Sequence, residues 1–312
     1  MKRTNAITNV RGIEVGHTQD EDALTGCTVI LCRRGAVAGV DVRGGAPGTR
    51  ETDLLDPVNL VEKVHAVVLA GGSAYGLEAA TGVMRYLEEQ EIGFNTGAAK
   101  VPIVPAAILY DLDVGRADVR PDSAMGHRAA AAASILPPAE GNVGAGAGAS
   151  IGKMRGMKYA MKSGVGTWSV KVHGVTIGAL VAVNAIGDVV DPQSGQRIAG
   201  LRAGTTLAWM KEHRTRAPVK SNTVIGVVAT DAKLTKAEAT RVAQMSQDGL
   251  ARVIRPAHTQ FDGDTIFALS TGLKRVDVSM VGAFAAEVVS EAILRAVRMA
   301  SSVGGLYGLN QE

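Results

Sequence analysis

The stretch PVKSNTVIGVVATDAKLT, residues 218–235, places an Asn-Thr pair directly before a run that is apolar except for its closing threonine. Such a run, VIGVVAT, predicts a buried strand that starts at Thr223. Thr235 is followed three residues later by Glu238, a capping-box pattern that predicts the start of a helix. The stretch therefore predicts a strand followed by a helix, with a hydroxyl residue where the strand begins.

Patterns on both sides of this stretch predict sheets covered by helices. Residues 164–191 alternate with period two around His173-Gly174 and predict an antiparallel hairpin. The runs CTVILC and AVAGVDVRGG, joined by RRG within residues 27–45, predict a second hairpin. A final helix is expected from about Ser279 to Ser301. Because hairpins occur without a regular βαβ rhythm, the sequence predicts an α+β fold, a layered sandwich rather than a doubly wound parallel sheet.

Composition and charge restrict the class of protein. The 312 residues include 38 glycines, whereas aromatic residues are only 4%, so small aliphatic side chains are expected to fill the core. A net charge of +3 gives no electrostatic reason to expect binding to nucleic acid or to an anionic membrane. No signal peptide and no run of 18 apolar residues is evident, which predicts a cytoplasmic protein. Cys27 and Cys32 are an odd number of positions apart, so a strand places them on opposite faces.

Two glycine-rich stretches resemble phosphate-binding loops only superficially. AGGSAYG, residues 70–76, is not a GxGxxG pattern, and a tight structural turn is its preferred interpretation. GAGAGASIGK, residues 144–153, has Ala147 and Met154 where a phosphate loop needs glycine and Ser or Thr. The six histidines show no metal-binding spacing, so the sequence predicts no metal site. Because neither loop matches a phosphate-binding pattern, no nucleotide cofactor is expected either. Residues 195–221 show little periodicity and predict a mobile, exposed connection.

The Asn222-Thr223 pair has two interpretations. Ser, Asn and Thr commonly form the turn that starts a strand. Alternatively, the Thr223 hydroxyl attacks the Asn222 carbonyl, and water then releases a new carboxyl end. The freed α-amine, whose ordinary pKa is about 7.7–8.0, then serves as the base for the same hydroxyl. Asp262 and Asp264, two positions apart, share a face if that segment is extended; an Asp-Gly turn is the simpler explanation.

At the level of whole segments the chain resembles the self-processing amidases grouped around the DmpA aminopeptidase and the nylon-oligomer hydrolase NylC. The resemblance covers nearly the whole chain in the same order. It is carried by VRGGAPGTRETDLLDP, HAVVLAGGSAYGLEAATGVMRYLEE, VPIVPAAILYDL, GAGAGASIGK, ALVAVNAIGDVVDP, NTVIGVVATDA and GDTIFALSTG.

The resemblance implies a four-layer αββα sandwich formed by one hydrolase domain, residues 1–312. It implies cleavage between Asn222 and Thr223 into chains 1–222 and 223–312 that remain associated. It also implies a small amide or peptide substrate, and a homo-oligomer, a tetramer of such αβ units.

The same resemblance implies roles for individual residues. Thr223 matches the nucleophile, Asn184 the donor to the oxyanion, and Lys153 the lysine that ends the glycine loop. Asp262 and Asp264 match the acidic pair that orients the nucleophile and its amine. Tyr110 matches a tyrosine that lines the substrate site.

The sequence leaves more than one activity open within the resemblance to this family. The aminopeptidases of the family have a serine nucleophile and a Ser-x-Glu arrangement, whereas Thr223 and the two aspartates are similar to NylC. This favours an endo-type amidase acting on oligoamide or ω-amino amide bonds. An aminopeptidase is the alternative, followed by an acyltransferase like ornithine acetyltransferase, or a nonenzymatic small-molecule-binding protein.

Overall fold

The computed structural model describes residues 5–213 and 222–311. Five α-helices are present in these ranges: α1 (Ala79–Glu89), α2 (Ser123–Ala131), α3 (Thr206–Glu212), α4 (Lys236–Val253) and α5 (Val278–Arg298). The strands in the same ranges are β1 (Glu14–Asp20), β2 (Thr25–Val42), β3 (Thr49–Arg50), β4 (Lys63–Ala70), β5 (Phe94–Asn95), β6 (Lys100–Val101), β7 (Ala106–Ile108), β8 (Ser150–Ile151), β9 (Met161–Lys162), β10 (Val165–Val172), β11 (Val175–Asn184), β12 (Asp188–Val190), β13 (Arg197–Ala199), β14 (Thr223–Ala232), β15 (Ile254–Arg255) and β16 (Thr265–Lys274).

A mixed sheet runs through the described part of the molecule in the order β10-β11-β14-β16-β2-β4-β7-β3, with β1 also paired to β2. β14 and β16 are parallel and are connected by α4, whereas β2 is antiparallel to both β16 and β4. β2 is 18 residues long, and its register with β4 shifts between Leu31 and Ala36. Its first part pairs with β1 and β4 and its last part with β16, so β2 joins two halves of the sheet.

The buried clusters show that the two halves of the sheet pack face to face. Leu180 of β11 and Leu69 of β4 lie in one buried cluster, although three strands separate β11 from β4 in the sheet. Their neighbours Val181 and Val68 face outward, Val181 toward α4 and α5 and Val68 toward α1 and α2. The layers are therefore helix, sheet, sheet, helix, which confirms the predicted αββα sandwich of the α+β class.

Several local predictions are confirmed. His173 and Gly174 have φ values of 47° and 79° and form the two-residue turn between β10 and β11, as hairpin geometry requires. Thr235 and Glu238 form a complete capping box at the start of α4. Cys27 packs toward α1 and α2, whereas Cys32 lies between the two halves of the sheet, so the two thiols do face opposite layers.

The predicted hairpin within residues 27–45 is wrong. β2 passes through Arg33, Arg34 and Gly35 as one strand, because the register shift beside β4 absorbs these residues without reversing the chain. The hairpin at this end of the chain is formed by β1 and β2 instead.

The connection predicted over residues 195–221 is partly structured. Its described part contains β13 and α3, and the Thr205 side chain caps α3 by accepting a hydrogen bond from the Ala208 N–H. Residues 214–221 lie outside the described residues. Within the described ranges, no helix combines the length and apolar character needed to span a membrane.

Candidate active site

Two neighbouring strands bring Thr223 and Asn184 together. Thr223 is the first residue of β14 and lies directly opposite Asn184, the last residue of β11. Residues directly opposite one another in an antiparallel pair project from the same face of the sheet. Both residues are buried: Thr223 is 4% exposed and Asn184 is fully buried. The Thr223 hydroxyl and the Asn184 amide therefore lie side by side in a buried position.

The peptide bond between Asn222 and Thr223 is held by a neighbouring segment. The Thr223 hydroxyl donates a short hydrogen bond to the carbonyl oxygen of Asn222. The Gly263 N–H donates to the same oxygen at 2.9 Å, and the Asn222 N–H donates to the Phe261 carbonyl at 3.0 Å. The Asn222 carbonyl thus accepts a backbone N–H while a hydroxyl lies against it, an arrangement that polarises the carbonyl toward attack.

Asn184 has an orientation fixed by three neighbours. Its Oδ1 accepts hydrogen bonds from the Ser150 N–H at 3.0 Å and from Lys153 Nζ at 2.9 Å. Its Nδ2 donates to the Tyr110 carbonyl at 2.7 Å. The second hydrogen of this amide has no acceptor in the described part of the chain, so Asn184 retains one N–H donor for another group.

Lys153 is buried at the end of the glycine-rich loop, with only 2% of its surface exposed. The preceding Gly152 has φ of 69°, and a Cβ there would meet the Gly200 carbonyl carbon at 2.2 Å. Only glycine fits this turn, which directs the lysine inward. Besides Oδ1, Lys153 Nζ also donates to the backbone carbonyl of Asn184 at 3.0 Å.

The acidic pair lies beside the start of β14. Asp262 and Asp264 are 2% and 1% exposed. Asp262 Oδ2 accepts from the N–H and the hydroxyl of Thr259, at 2.8 and 2.6 Å. Asp264 Oδ1 accepts from the Val224 N–H at 2.8 Å, so this carboxylate holds the peptide that follows Thr223.

Burial shifts the ionisation of two groups in opposite directions. Burial lowers the pKa of Lys153 to about 7, although nearby carboxylates including Asp262 oppose the shift. Burial, and then repulsion from Asp264, raises the pKa of Asp262 to about 6, against the Thr259 hydrogen bonds and the charge of Lys153. Such opposed shifts are typical of functional sites, because they bring a proton donor and acceptor close to neutral pH.

Tyr110 lies at the edge of this group of residues. Its backbone carbonyl contacts Asn184, as described, and its hydroxyl donates to Asp113 at 3.3 Å. A cavity of about 10 Å³ borders Tyr110, Lys153 and Met157. This is only about the volume that one water molecule requires. A larger cavity of about 550 Å³ is lined by Asp231 and other residues at the opposite end of β14, away from Thr223.

All seven residues predicted for the site, including Asn222, are thus brought into one region, although they come from segments spread over Tyr110 to Asp264. No group of three or more His, Cys, Asp or Glu side chains within the described ranges is arranged to hold a metal ion. The sequence did not point to Gly263, whose backbone N–H contacts the Asn222 carbonyl. It also did not point to His258, which binds Asp264 through its ring.

The fold and its relatives define the class of protein. The structure aligns with a Burkholderia sp. beta-aminopeptidase at a TM-score of 0.71 and 26% identity, covering 99% of this chain and 92% of the other. It also aligns with the L-aminopeptidase D-Ala-esterase/amidase of Ochrobactrum anthropi at a TM-score of 0.73 and 22% identity, covering 96% and 87%. The latter is described as a variant of the Ntn-hydrolase fold, and this chain has the same fold.

A family model described as "Peptidase family S58" matches residues 5–310, and the chain belongs to this family. It is 45% identical to an uncharacterized aminopeptidase of Mycobacterium leprae, over 97% of this chain and 92% of that protein. It is 31% identical to the 6-aminohexanoate-oligomer endohydrolase of Kocuria sp., over 92% and 84%. These relatives confirm the resemblance to the DmpA and NylC group, and the family makes the chain an amidohydrolase of the peptidase class.

Proposed function

We propose that this chain cuts itself between Asn222 and Thr223, and that Thr223 then acts as the N-terminal nucleophile of an amide hydrolase. One observation carries the proposal. The Thr223 hydroxyl lies against the carbonyl of Asn222, and the Gly263 N–H donates to that carbonyl oxygen at 2.9 Å. A nucleophile, an electrophile and a donor for the developing negative charge are therefore together before any cleavage has occurred.

The cleavage proceeds by an acyl shift followed by hydrolysis. The Thr223 oxygen attacks the Asn222 carbonyl carbon, the C–N bond breaks, and the hydroxyl proton passes to the departing nitrogen, which becomes an amine. Water then hydrolyses the resulting ester, leaving a carboxyl end on Asn222 and restoring the hydroxyl. The Asn222 side-chain oxygen and nitrogen are buried without partners in the described chain, and cleavage frees this residue to rearrange.

In the mature enzyme Thr223 supplies both nucleophile and base. Its freed α-amine, with an ordinary pKa of about 7.7–8.0, takes the hydroxyl proton as the oxygen attacks a substrate amide and returns it to the leaving amine. The unused N–H of Asn184 donates to the oxyanion. Lys153 and the acidic pair, Asp262 and Asp264, hold the amine and hydroxyl in place. Water then releases the acyl group from the threonine ester.

The substrate class that we propose is an oligoamide or an ω-amino amide, cleaved in endo mode. Thr223 with the aspartates at 262 and 264 is the arrangement by which the sequence resembles NylC, and the Kocuria relative is named for endohydrolysis of 6-aminohexanoate oligomers. The second candidate is an aminopeptidase, which is favoured by the name of the Mycobacterium leprae relative at 45% identity. Tyr110 lines the substrate site in either case.

The proposed product is a single hydrolase domain made of two associated chains, residues 1–222 and 223–312. These αβ units assemble into a homo-oligomer, a tetramer by resemblance. No cofactor takes part in the proposed reaction, because the hydroxyl, the amine and the amide donor all belong to this chain.

Intact-mass analysis under denaturing conditions tests the self-cleavage. We expect the wild type to give two fragments that meet between Asn222 and Thr223, and Thr223→Ala to give one full-length, inactive chain. Thr223→Ser should still cut, because it keeps a hydroxyl. A wild-type chain that stays whole after prolonged incubation would refute the proposal.

The chain contains its own control for this experiment. Asn95 and Thr96 form a second Asn-Thr pair, which is exposed and lacks the buried surroundings of the first. We expect this pair to remain intact in every variant, and Thr96→Ala to cut at residue 222 as the wild type does.

Product analysis separates the two substrate modes. An endo-hydrolase cuts a 6-aminohexanoate tetramer internally and also accepts a tetramer whose amino end is acetylated. An aminopeptidase releases monomers one at a time and requires the free amine. Release of monomer only, with no reaction of the acetylated tetramer, would replace the endo assignment with the aminopeptidase.

A further inference from the structure

His258 belongs to the segment between β15 and β16 and has a left-handed backbone conformation, which is uncommon for residues other than glycine. Its φ is +57°, in the left-handed region that only a few per cent of residues other than glycine adopt, although histidine adopts it more readily than most. Strained residues of this kind persist where the surrounding structure fixes them, often beside functional sites. The contacts of His258 show what fixes it.

His258 makes two hydrogen bonds to one oxygen of Asp264. The ring nitrogen Nδ1 lies 2.8 Å from Asp264 Oδ2, and the His258 backbone N–H donates to the same oxygen at 3.0 Å. Because a carboxylate only accepts hydrogen bonds, the contact assigns the ring hydrogen to Nδ1. The other ring nitrogen, Nε2, is buried and has no partner in the described ranges, so the hydrogen bonding of the ring is directed at Asp264.

The other oxygen of Asp264 connects this pair to the reacting residue. Asp264 Oδ1 accepts from the Val224 N–H at 2.8 Å, and Val224 directly follows Thr223. The carboxylate thus receives three N–H donors, two from His258 and one from the strand that carries the nucleophile. Rotation of this carboxylate breaks the contact with Val224, which is one of the contacts that hold the start of β14 in place, beside the pairing of Thr223 with Asn184.

We infer that His258 is a positioning residue for the proposed hydrolase: it holds the Asp264 carboxylate in the one orientation that fixes Val224, and with it the α-amine and hydroxyl of Thr223. The inference rests on the proposed function and deepens it. His258 acts through Asp264 and need not touch the substrate, so its loss reduces kcat and leaves KM nearly unchanged.

Three substitutions separate the ring from the backbone. His258→Asn places an amide nitrogen where Nδ1 lies and tolerates positive φ, so it keeps both features. His258→Gly accepts the backbone conformation but has no side-chain donor. His258→Ala lacks the donor and strains the backbone. We expect the asparagine variant to stay within about threefold of the wild-type kcat, and the glycine variant to lose roughly 10- to 100-fold, as expected when a hydrogen bond to a charged group is removed.

His127 provides a matched control. It also pairs with a carboxylate, Glu89, at 3.1 Å, but this pair lies on the surface between α1 and α2, away from Thr223. We expect His127→Ala to leave both kcat and the self-cleavage rate unchanged.

Two readouts test the inference: the rate of self-cleavage by intact mass, and kcat and KM of the cleaved fraction. For a variant that remains uncleaved, the intact-mass measurement still gives an upper limit on the rate of self-cleavage. A thermal melt identifies any variant that does not fold. A glycine variant as fast as the asparagine variant would show that the ring donor is dispensable. An asparagine variant as slow as alanine would show that the Nδ1 contact is not what matters.

Failure of the proposed function gives a different result. In that case Thr223→Ala retains hydrolysis, or the wild type never cuts, whatever the His258 variants do. If instead Thr223→Ala is inactive and the four His258 forms react equally, the positioning role alone is refuted.

Discussion

Adding one methyl group at Gly263 tests the contact that polarises the scissile carbonyl. A Cβ at this position would lie 2.7 Å from the Ala46 carbonyl oxygen and 2.9 Å from Thr223 Oγ1. Ordinary contacts of a Cβ begin near 3.4 Å, so the segment has to move by about 0.7 Å. The Ala46 oxygen cannot simply give way, because the Ala46 N–H is held by the Asp262 carbonyl at 2.8 Å.

This displacement sets the expected magnitude. The Gly263 N–H lies 2.9 Å from the Asn222 oxygen, and a shift of this size lengthens the distance to roughly 3.5 Å, beyond a useful hydrogen bond. Loss of one donor to a developing oxyanion costs a factor of about 10² to 10³ in rate. We therefore expect Gly263→Ala to fold, but to cleave itself more slowly than the wild type by this factor of about 10² to 10³.

A time course of intact mass after rapid purification measures the effect. Gly97→Ala is the control: a Cβ there meets no atom within 4 Å, and the strain that its φ of +86° imposes on an alanine is confined to an exposed turn between β5 and β6. It should cut at the wild-type rate. If Gly263→Ala, with a normal thermal melt, also cuts at the wild-type rate, the N–H of Gly263 contributes nothing to the reaction and does not polarise the scissile carbonyl.

Three further predictions concern the substrate reaction and stability. Asn184→Ala should lower kcat by roughly 10² to 10³ and reduce the melting temperature, because the Ser150 N–H and Lys153 lose an acceptor; an unchanged kcat would limit Asn184 to a structural role. Burial lowers the pKa of His17 from 6.5 to about 4, so the unfolded chain binds a proton first as the pH falls, and the free energy of unfolding should drop by roughly 3 kcal/mol between pH 6.5 and 4. In urea titrations at several pH values, His17→Gln should lack this fall in the free energy of unfolding. An equal change of the unfolding free energy with pH in both proteins would contradict the prediction. Phe267→Ala, at a fully buried position between the sheet halves, should cost about 3–5 kcal/mol in the same titrations.

Local chemistry made several elements predictable. The strand beginning at Thr223, the capping box at Thr235 and the turn at His173-Gly174 each depend on a few neighbouring residues, whose side chains and backbone preferences act over one turn or less. The path of β2 was not predictable in this way. Whether the chain reverses at Arg33–Gly35 or continues depends on the pairing with β4, which begins some thirty residues later.

The residues of the candidate site also divide into those that local sequence patterns indicate and those that they do not. Asn184, Lys153 and Tyr110 received their predicted roles only from resemblance over the whole chain, because no local pattern connects them with Thr223. Thr223 and the pair Asp262 and Asp264 were already candidates from their own local patterns. Gly263 and His258 were missed since their roles come from a backbone N–H and from a ring that contacts Asp264, and neither leaves a motif in the sequence.

Patterns along the chain were enough to predict the class of fold, the family, and a hydroxyl residue at the start of a buried strand. Which groups surround that residue depends on the packing of distant segments, which brings together the Asn184 amide across the strand pair, the Gly263 N–H on the Asn222 carbonyl, and the Asp264 carboxylate held by His258. The difference lies in the distance along the chain over which each interaction acts. Capping, turn geometry and periodicity act between near neighbours in the chain, whereas strand register, burial and the resulting pKa shifts arise only when distant segments pack together.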